Sequence, residues 1–183
     1  VDANGAFTVN ILSAGKPSVY SARLLQRLAL AGAFDDDPAG VLAKLHAGLG
    51  GDDEQERLLA LSELSFAYAA KSGHRPYYLA SAVYAWAYLN GAHPEPAPTP
   101  FDERIRLAGD LYSRGIVFGL MDTKGEHVDL EARSVALPFG VLALENRPTD
   151  FTRAGYRLKS FVSITELEVR GPRCEGSIRR ATT

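Results

Sequence analysis

The sequence predicts an α+β protein: a mostly α-helical hairpin layer, helical-repeat-like in character, followed by a small antiparallel strand unit. Three observations carry this. Gln55–Ala70 and Tyr77–Leu89 form a nearly unbroken helical hairpin, separated by the breaker Lys71-Ser-Gly73 and a proline at position 76. From about position 122 the apolar spacing shifts toward the alternation of half-buried strands. Gly155–Arg170 is rich in β-branched and aromatic residues. The boundaries that follow are an extended arm at 1–16, a helical domain at 17–121, a strand-rich unit at 122–171 and a tail at 172–183.

Element by element, the arm carries glycine, asparagine and a β-prone patch, Phe7–Leu12. A helix opens after Pro17, with Ser18 or Ser21 as its cap and Leu24, Leu25, Leu28 and Leu30 as its apolar side. Gly32 and the run Asp35–Asp37 end it. Asp37-Pro38 starts a short helix through His46, with Val41, Leu42 and Leu45 at helical spacing, and Gly48–Gly51 breaks it. Asp53 and Glu56 resemble a capping box at the start of the long helix. The segment Tyr77–Leu89 is apolar almost all round, which predicts the centre of the helical layer.

Prolines at 94, 96, 98 and 100 make a stiff extended connection. Asp102 or Thr99 then starts the last helix, which runs through Leu120 with Ile105, Leu107, Ala108, Leu111, Tyr112 and Ile116 as its apolar side. Lys124-Gly125 reads as a turn, His127–Leu137 as a strand and Val141–Glu145 as a second, with Pro138-Phe-Gly between them. Tyr156–Ser163 and Leu167–Arg170 give a third and a fourth.

A chain of 183 residues fits one domain, or one with an appendage, and is long enough for a core without metals or disulfides. Apolar residues at 46% and charged residues at 23% are ordinary globular values. A net charge of -2 argues against nucleic acid as a partner. Arg170, Arg173, Arg179 and Arg180 read as a solvated tail. Cys174 is the single cysteine, so it builds neither an internal disulfide nor a zinc set. No apolar run reaches the roughly 20 residues that span a bilayer, so no transmembrane segment is expected. The chain opens on Val1 and closes on Ile178–Thr183 without a clear final element; the expectation is a processed product or a piece of something longer.

The search for chemistry returns little. No Gly-x-Ser-x-Gly elbow occurs. Ser13 and Lys16 match a Ser-x-x-Lys pattern, but Gly15 and Pro17 flank the lysine, whereas the pair acts on one turn of a buried helix. Gly15-Lys16 fails as a phosphate loop, since Asn10 replaces the first glycine and Pro17 the Ser or Thr. His46, His74, His93 and His127 have no metal-ligand spacing; His127 with Glu126 and Asp129 is the best of them for acid–base work. Asp35–Asp37 and Asp52–Glu54 lack calcium-loop spacing and precede helices, where capping and the helix dipole account for them. No catalytic, cofactor-binding or metal residue is assigned. Tyr68, Tyr77, Tyr84, Trp86 and Tyr88 are the candidate packing or partner surface; large aromatics with polar tips suit a core, a cleft or a subunit contact.

Six segments in order form a further pattern: Ser18–Leu30, Asp37–His46, Leu59–Phe66, Tyr78–Leu89, Phe101–Tyr112 and Gly155–Gly171. Together they resemble the N-terminal region of bacterial exported, lipoprotein-like α/β-hydrolase proteins, in which a helical domain and a few strands precede the hydrolase core. The nucleophile elbow and triad of that core have no counterpart here. The resemblance therefore implies a non-catalytic accessory or scaffold segment that packs on or positions a hydrolase-like domain, in cis or in trans. The parent or partner would be a serine hydrolase, and the location the bacterial envelope, the periplasm or the exterior. A segment of this kind exposes an apolar patch or self-associates as an oligomer. The alternative is a free-standing helical adaptor or structural subunit of an envelope or extracellular assembly.

Overall fold

The computed structural model describes residues 9–91, 101–122, 124–125, 127–145, 152–153 and 156–157. It is mostly helical, with a small antiparallel strand unit after the helices, an α+β arrangement. The helices are α1 (Ile11–Ala14), α2 (Val19–Arg27), α3 (Ala33–Asp36), α4 (Pro38–Ala47), α5 (Glu54–Ser72), α6 (Pro76–Asn90) and α7 (Glu103–Leu120).

The arm is not extended throughout. Asn10 accepts from the Leu12 and Ser13 amides, and Ser13 Oγ accepts from the Asn10 amide. This reciprocal capping winds one helical turn, Ile11–Ala14, where an extended arm is expected. Gly15 closes the turn in the left-handed region, at φ +65°. Ser18, not Ser21, caps α2. That helix ends at Arg27, short of Gly32, and Asp35 and Asp36 lie inside α3 instead of acting as a stop. Asp37 caps α4 by accepting from the Gly40 amide at 2.9 Å. Asp53 makes no side-chain cap on α5; its carboxylate is taken by Arg57 at 2.6 Å and Arg27 at 3.4 Å.

The centre of the layer falls one helix earlier than the apolar pattern predicts. Every residue of α5 from Leu58 to Phe66 is buried, and α5 packs against α1, α2, α4, α6 and α7. Ser62, Glu63 and Ser65 dilute its apparent apolarity in the sequence although all three are enclosed. Leu24, Leu45, Leu61, Leu64 and Leu111 are the large apolar side chains at the middle of the core. Asp102 accepts from the Arg104 amide at the start of α7. α6 and α7 approach closely because α7 has no side chain at the crossing: a Cβ at Gly115 would lie 2.6 Å from the Tyr78 carbonyl oxygen.

β1 (Arg133–Leu137) and β2 (Gly140–Leu144) form an antiparallel hairpin in which Val135 faces Leu142 across the ladder. The predicted strand from His127 is shorter than expected. Asp129 accepts from the Glu131 amide at 2.9 Å and pairs with Arg133 at 2.8 Å, which turns the chain before β1. Only Val128 of the preceding stretch pairs, bridging to Met121. β3 (Thr152–Arg153) and β4 (Tyr156–Arg157) form a second antiparallel pair. The proline run, Cys174, the remainder of the third predicted strand, the fourth strand and the tail lie outside the described residues. Among the described residues no helix is long and apolar enough to cross a membrane.

Candidate functional site

Glu63 is the most unusual group in the helical layer. It sits mid-α5 with no exposed surface. Its Oε1 accepts from the Ile11 amide at 3.1 Å and the Ser18 amide at 2.7 Å. Its Oε2 accepts from Ser18 Oγ at 2.7 Å and Ser21 Oγ at 2.6 Å. Four donors, two of them backbone amides, replace the water that a carboxylate loses on burial. Ser18 is also the α2 cap, so the carboxylate lies at the positive end of that helix. The chemistry of this constellation is structural: it ties the N-terminal segment and α2 to α5. Sequence reasoning missed it. The available signal was Glu63 as the one charge between Arg57 and Lys71, flanked by Ser62 and Ser65.

The five aromatic candidates do not share one face. Tyr84 and Tyr88 are buried core, Tyr68 and Tyr77 are half-buried, and Trp86 is 54% exposed. Tyr68 and Tyr77 meet edge to face at 4.6 Å across the α5–α6 corner. Burial raises the hydroxyl pKa values of Tyr77, Tyr84 and Tyr88 above the ordinary tyrosine value. These hydroxyls therefore stay protonated at neutral pH and serve as hydrogen-bonding groups, not bases.

Tyr84 joins a second constellation. Its hydroxyl lies 2.9 Å from His46 Nδ1. Phe139, at the turn between β1 and β2, stacks on His46 at 5.3 Å and tilts against Tyr84 at 4.8 Å. A small cavity of about 260 Å³ lies beside them, with Ser65 and Tyr77 among its lining. Phe139 thus plugs the tip of the hairpin onto α4 and α6, while β1 runs against α6. β2 is left as the outer strand. Its sequence, Gly140-Val-Leu-Ala-Leu144, has no charge and no proline, and Val141 is 72% exposed. Among the described residues neither hairpin edge has a further strand beside it. On the other face Val135, Leu137, Leu142 and Leu144 are only half-buried.

Among the described residues the Ser13–Lys16 pattern does not assemble, while Glu126 of the His127 set and His93 lie outside the described residues. Ser13 and Lys16 are both exposed, and Ser13 is occupied with Asn10. His127 is exposed, and His74 packs on Tyr68. No cluster of His, Cys, Asp or Glu with metal-holding geometry occurs among the described residues. Comparison with known proteins finds no matching family, no matching curated protein and no matching solved structure.

Proposed function

We propose that this chain is a non-catalytic accessory domain that packs on an α/β-hydrolase-like domain and holds it in position, in cis or in trans. The observation that carries the reading is the β1–β2 hairpin. Phe139 fixes it to a rigid helical layer, and it presents an uncharged outer strand with Val141 exposed. An isolated two-stranded hairpin is marginal in water, and an edge without lysine, proline or bulge is a template for another strand. A hydrolase-like domain is built around a sheet and supplies such a strand. The order of the six sequence segments supports the same partner. On this reading the protein works in the bacterial envelope or outside the cell.

Trp86 and Phe101, exposed on the helical side at 54% and 94%, favour a second reading. In it the helical layer is a free-standing adaptor that engages protein partners through aromatic anchors.

Val141→Lys tests the first reading. The side chain is already exposed, so the variant folds, and a charge is placed on the pairing edge. A hydrolase-like companion should then dissociate in trans, or be freed by limited proteolysis in cis. Unchanged association with Val141→Lys, and loss of association with Trp86→Ala, would transfer the contact to the helical face.

A further inference from the structure

We propose that the cavity between α4, α5, α6 and the tip of the β1–β2 hairpin binds a small neutral aromatic molecule carrying one hydroxyl or amide group. This inference is independent of the partner proposal. The cavity measures about 260 Å³. A cavity of about 150 Å³ takes benzene, so this one has room for a single ring and its substituents. Its mouth lies between Ala39 and Ala43 of α4 and Pro138 of the hairpin, all three exposed. Its inner wall includes Leu42, which is buried, and Ser65, which is 1% exposed.

The lining sets the chemistry of the ligand. It contains no Asp, Glu, Lys or Arg, so an ionised group moved there would lose its water without gaining a counter-charge. Tyr77, Tyr84, His46 and Phe139 supply rings on several sides, and a flat aromatic molecule meets such walls edge-on or offset. The Tyr84 hydroxyl and His46 Nδ1 satisfy each other at 2.9 Å. The Ser65 hydroxyl is different. It is enclosed in mid-α5, borders the cavity, and makes no hydrogen bond among the described residues. Ser62, by contrast, meets Ser81, and Ser72 and Ser113 bond back to the carbonyl four residues earlier. A buried hydroxyl without a partner costs free energy, which a hydroxyl or amide on a bound ring recovers.

A nitrogen–proton NMR titration of the intact chain with p-cresol, toluene and benzoate tests this. p-Cresol should give saturating shifts of the Leu42–His46 and Phe139 amides, with a Kd of about 0.1–3 mM, in the range of a ligand of about eight heavy atoms. Toluene lacks the hydroxyl and should bind about three- to tenfold more weakly, and charged benzoate more weakly still. Ser65→Ala should bring p-cresol to the affinity of toluene. It should not lower the Tm, because the hydroxyl it removes has no partner to lose. Ala43→Trp, at an exposed position of the mouth, should abolish binding of both rings and leave helical circular dichroism unchanged. Shifts that grow without saturation would overturn the inference and leave a cavity that holds only water. Equal affinity for p-cresol and toluene, tighter binding of benzoate, or a preference for p-cresol that survives Ser65→Ala would also overturn it.

Discussion

Removing the carboxylate of Glu63 should be among the most damaging single changes in the helical layer. It would strip the acceptor from the Ile11 and Ser18 amides and from the hydroxyls of Ser18 and Ser21. A hydrogen bond to a charged group contributes about 1.5–3 kcal/mol, so four would total about 6–12 kcal/mol if they simply added. They do not add. The wild-type carboxylate already carries a desolvation cost of several kcal/mol, and the two hydroxyls can turn to other acceptors. The two stranded amides are the durable loss, at about 1–3 kcal/mol each. With the void left by the side chain, Glu63→Ala should cost about 3–5 kcal/mol. Glu63→Gln keeps the shape and the Oε1 acceptor. It replaces Oε2 by a donor facing two hydroxyls that can reverse to accept, and should cost about 1–2 kcal/mol. Urea unfolding at constant m-value measures both. Against a total stability of about 5–15 kcal/mol, the alanine variant should move the midpoint far down. A loss below about 1 kcal/mol for Glu63→Ala would refute the reasoning.

Other perturbations have equally definite outcomes. Gly115→Ala forces a methyl against the Tyr78 carbonyl and should destabilise by about 1–3 kcal/mol, whereas Gly109→Ala, where a Cβ meets nothing, should stabilise by about 0.5–1 kcal/mol; thermal unfolding of the pair gives opposite signs. Phe139→Ala should release the hairpin tip from His46 and Tyr84, so that protease cuts between β1 and β2 before it touches α5. The hydrogen bond from Arg57 is the main cause holding the Asp53 pKa below its ordinary value. A lowered folded-state pKa adds stability above the unfolded value of about 3.9 and loses it as pH falls through the folded one. Partial exposure limits the effect to about 0.2–1 kcal/mol. Wild type should therefore lose slightly more stability than Asp53→Asn between pH 5 and pH 2, read from urea midpoints, and parallel curves would remove the pair from the account.

What was legible in the sequence, and what was not, follows from how each feature is encoded. Helix starts written as local capping, such as Asp37-Pro38 and Asp102, were readable because the cap and its target are within three residues. The β1–β2 hairpin was readable from Pro138-Phe-Gly between two apolar runs. The role of Asp53 was misread because its partners, Arg57 and Arg27, outcompete the cap, and Arg27 is remote in sequence. Burial of α5 was hidden because a serine or glutamate counts as polar in any pattern, while its satisfaction by donors from residues 11–21 is a tertiary fact. The aromatic candidates illustrate the same limit. Tyr84, Trp86 and Tyr88 lie within one turn and a half of α6, yet only the packing of α5 and α7 decides that two are core and one faces out. The docking role of Phe139 had no local signal at all, since its partners are on α4 and α6.

The accessory-domain proposal meets its most direct test in the intact mass of the native gene product with both termini mapped. The account predicts a product that continues into, or co-purifies with, a hydrolase-like domain bearing a Gly-x-Ser-x-Gly elbow. A native product that ends at Thr183 and carries no such companion would contradict it.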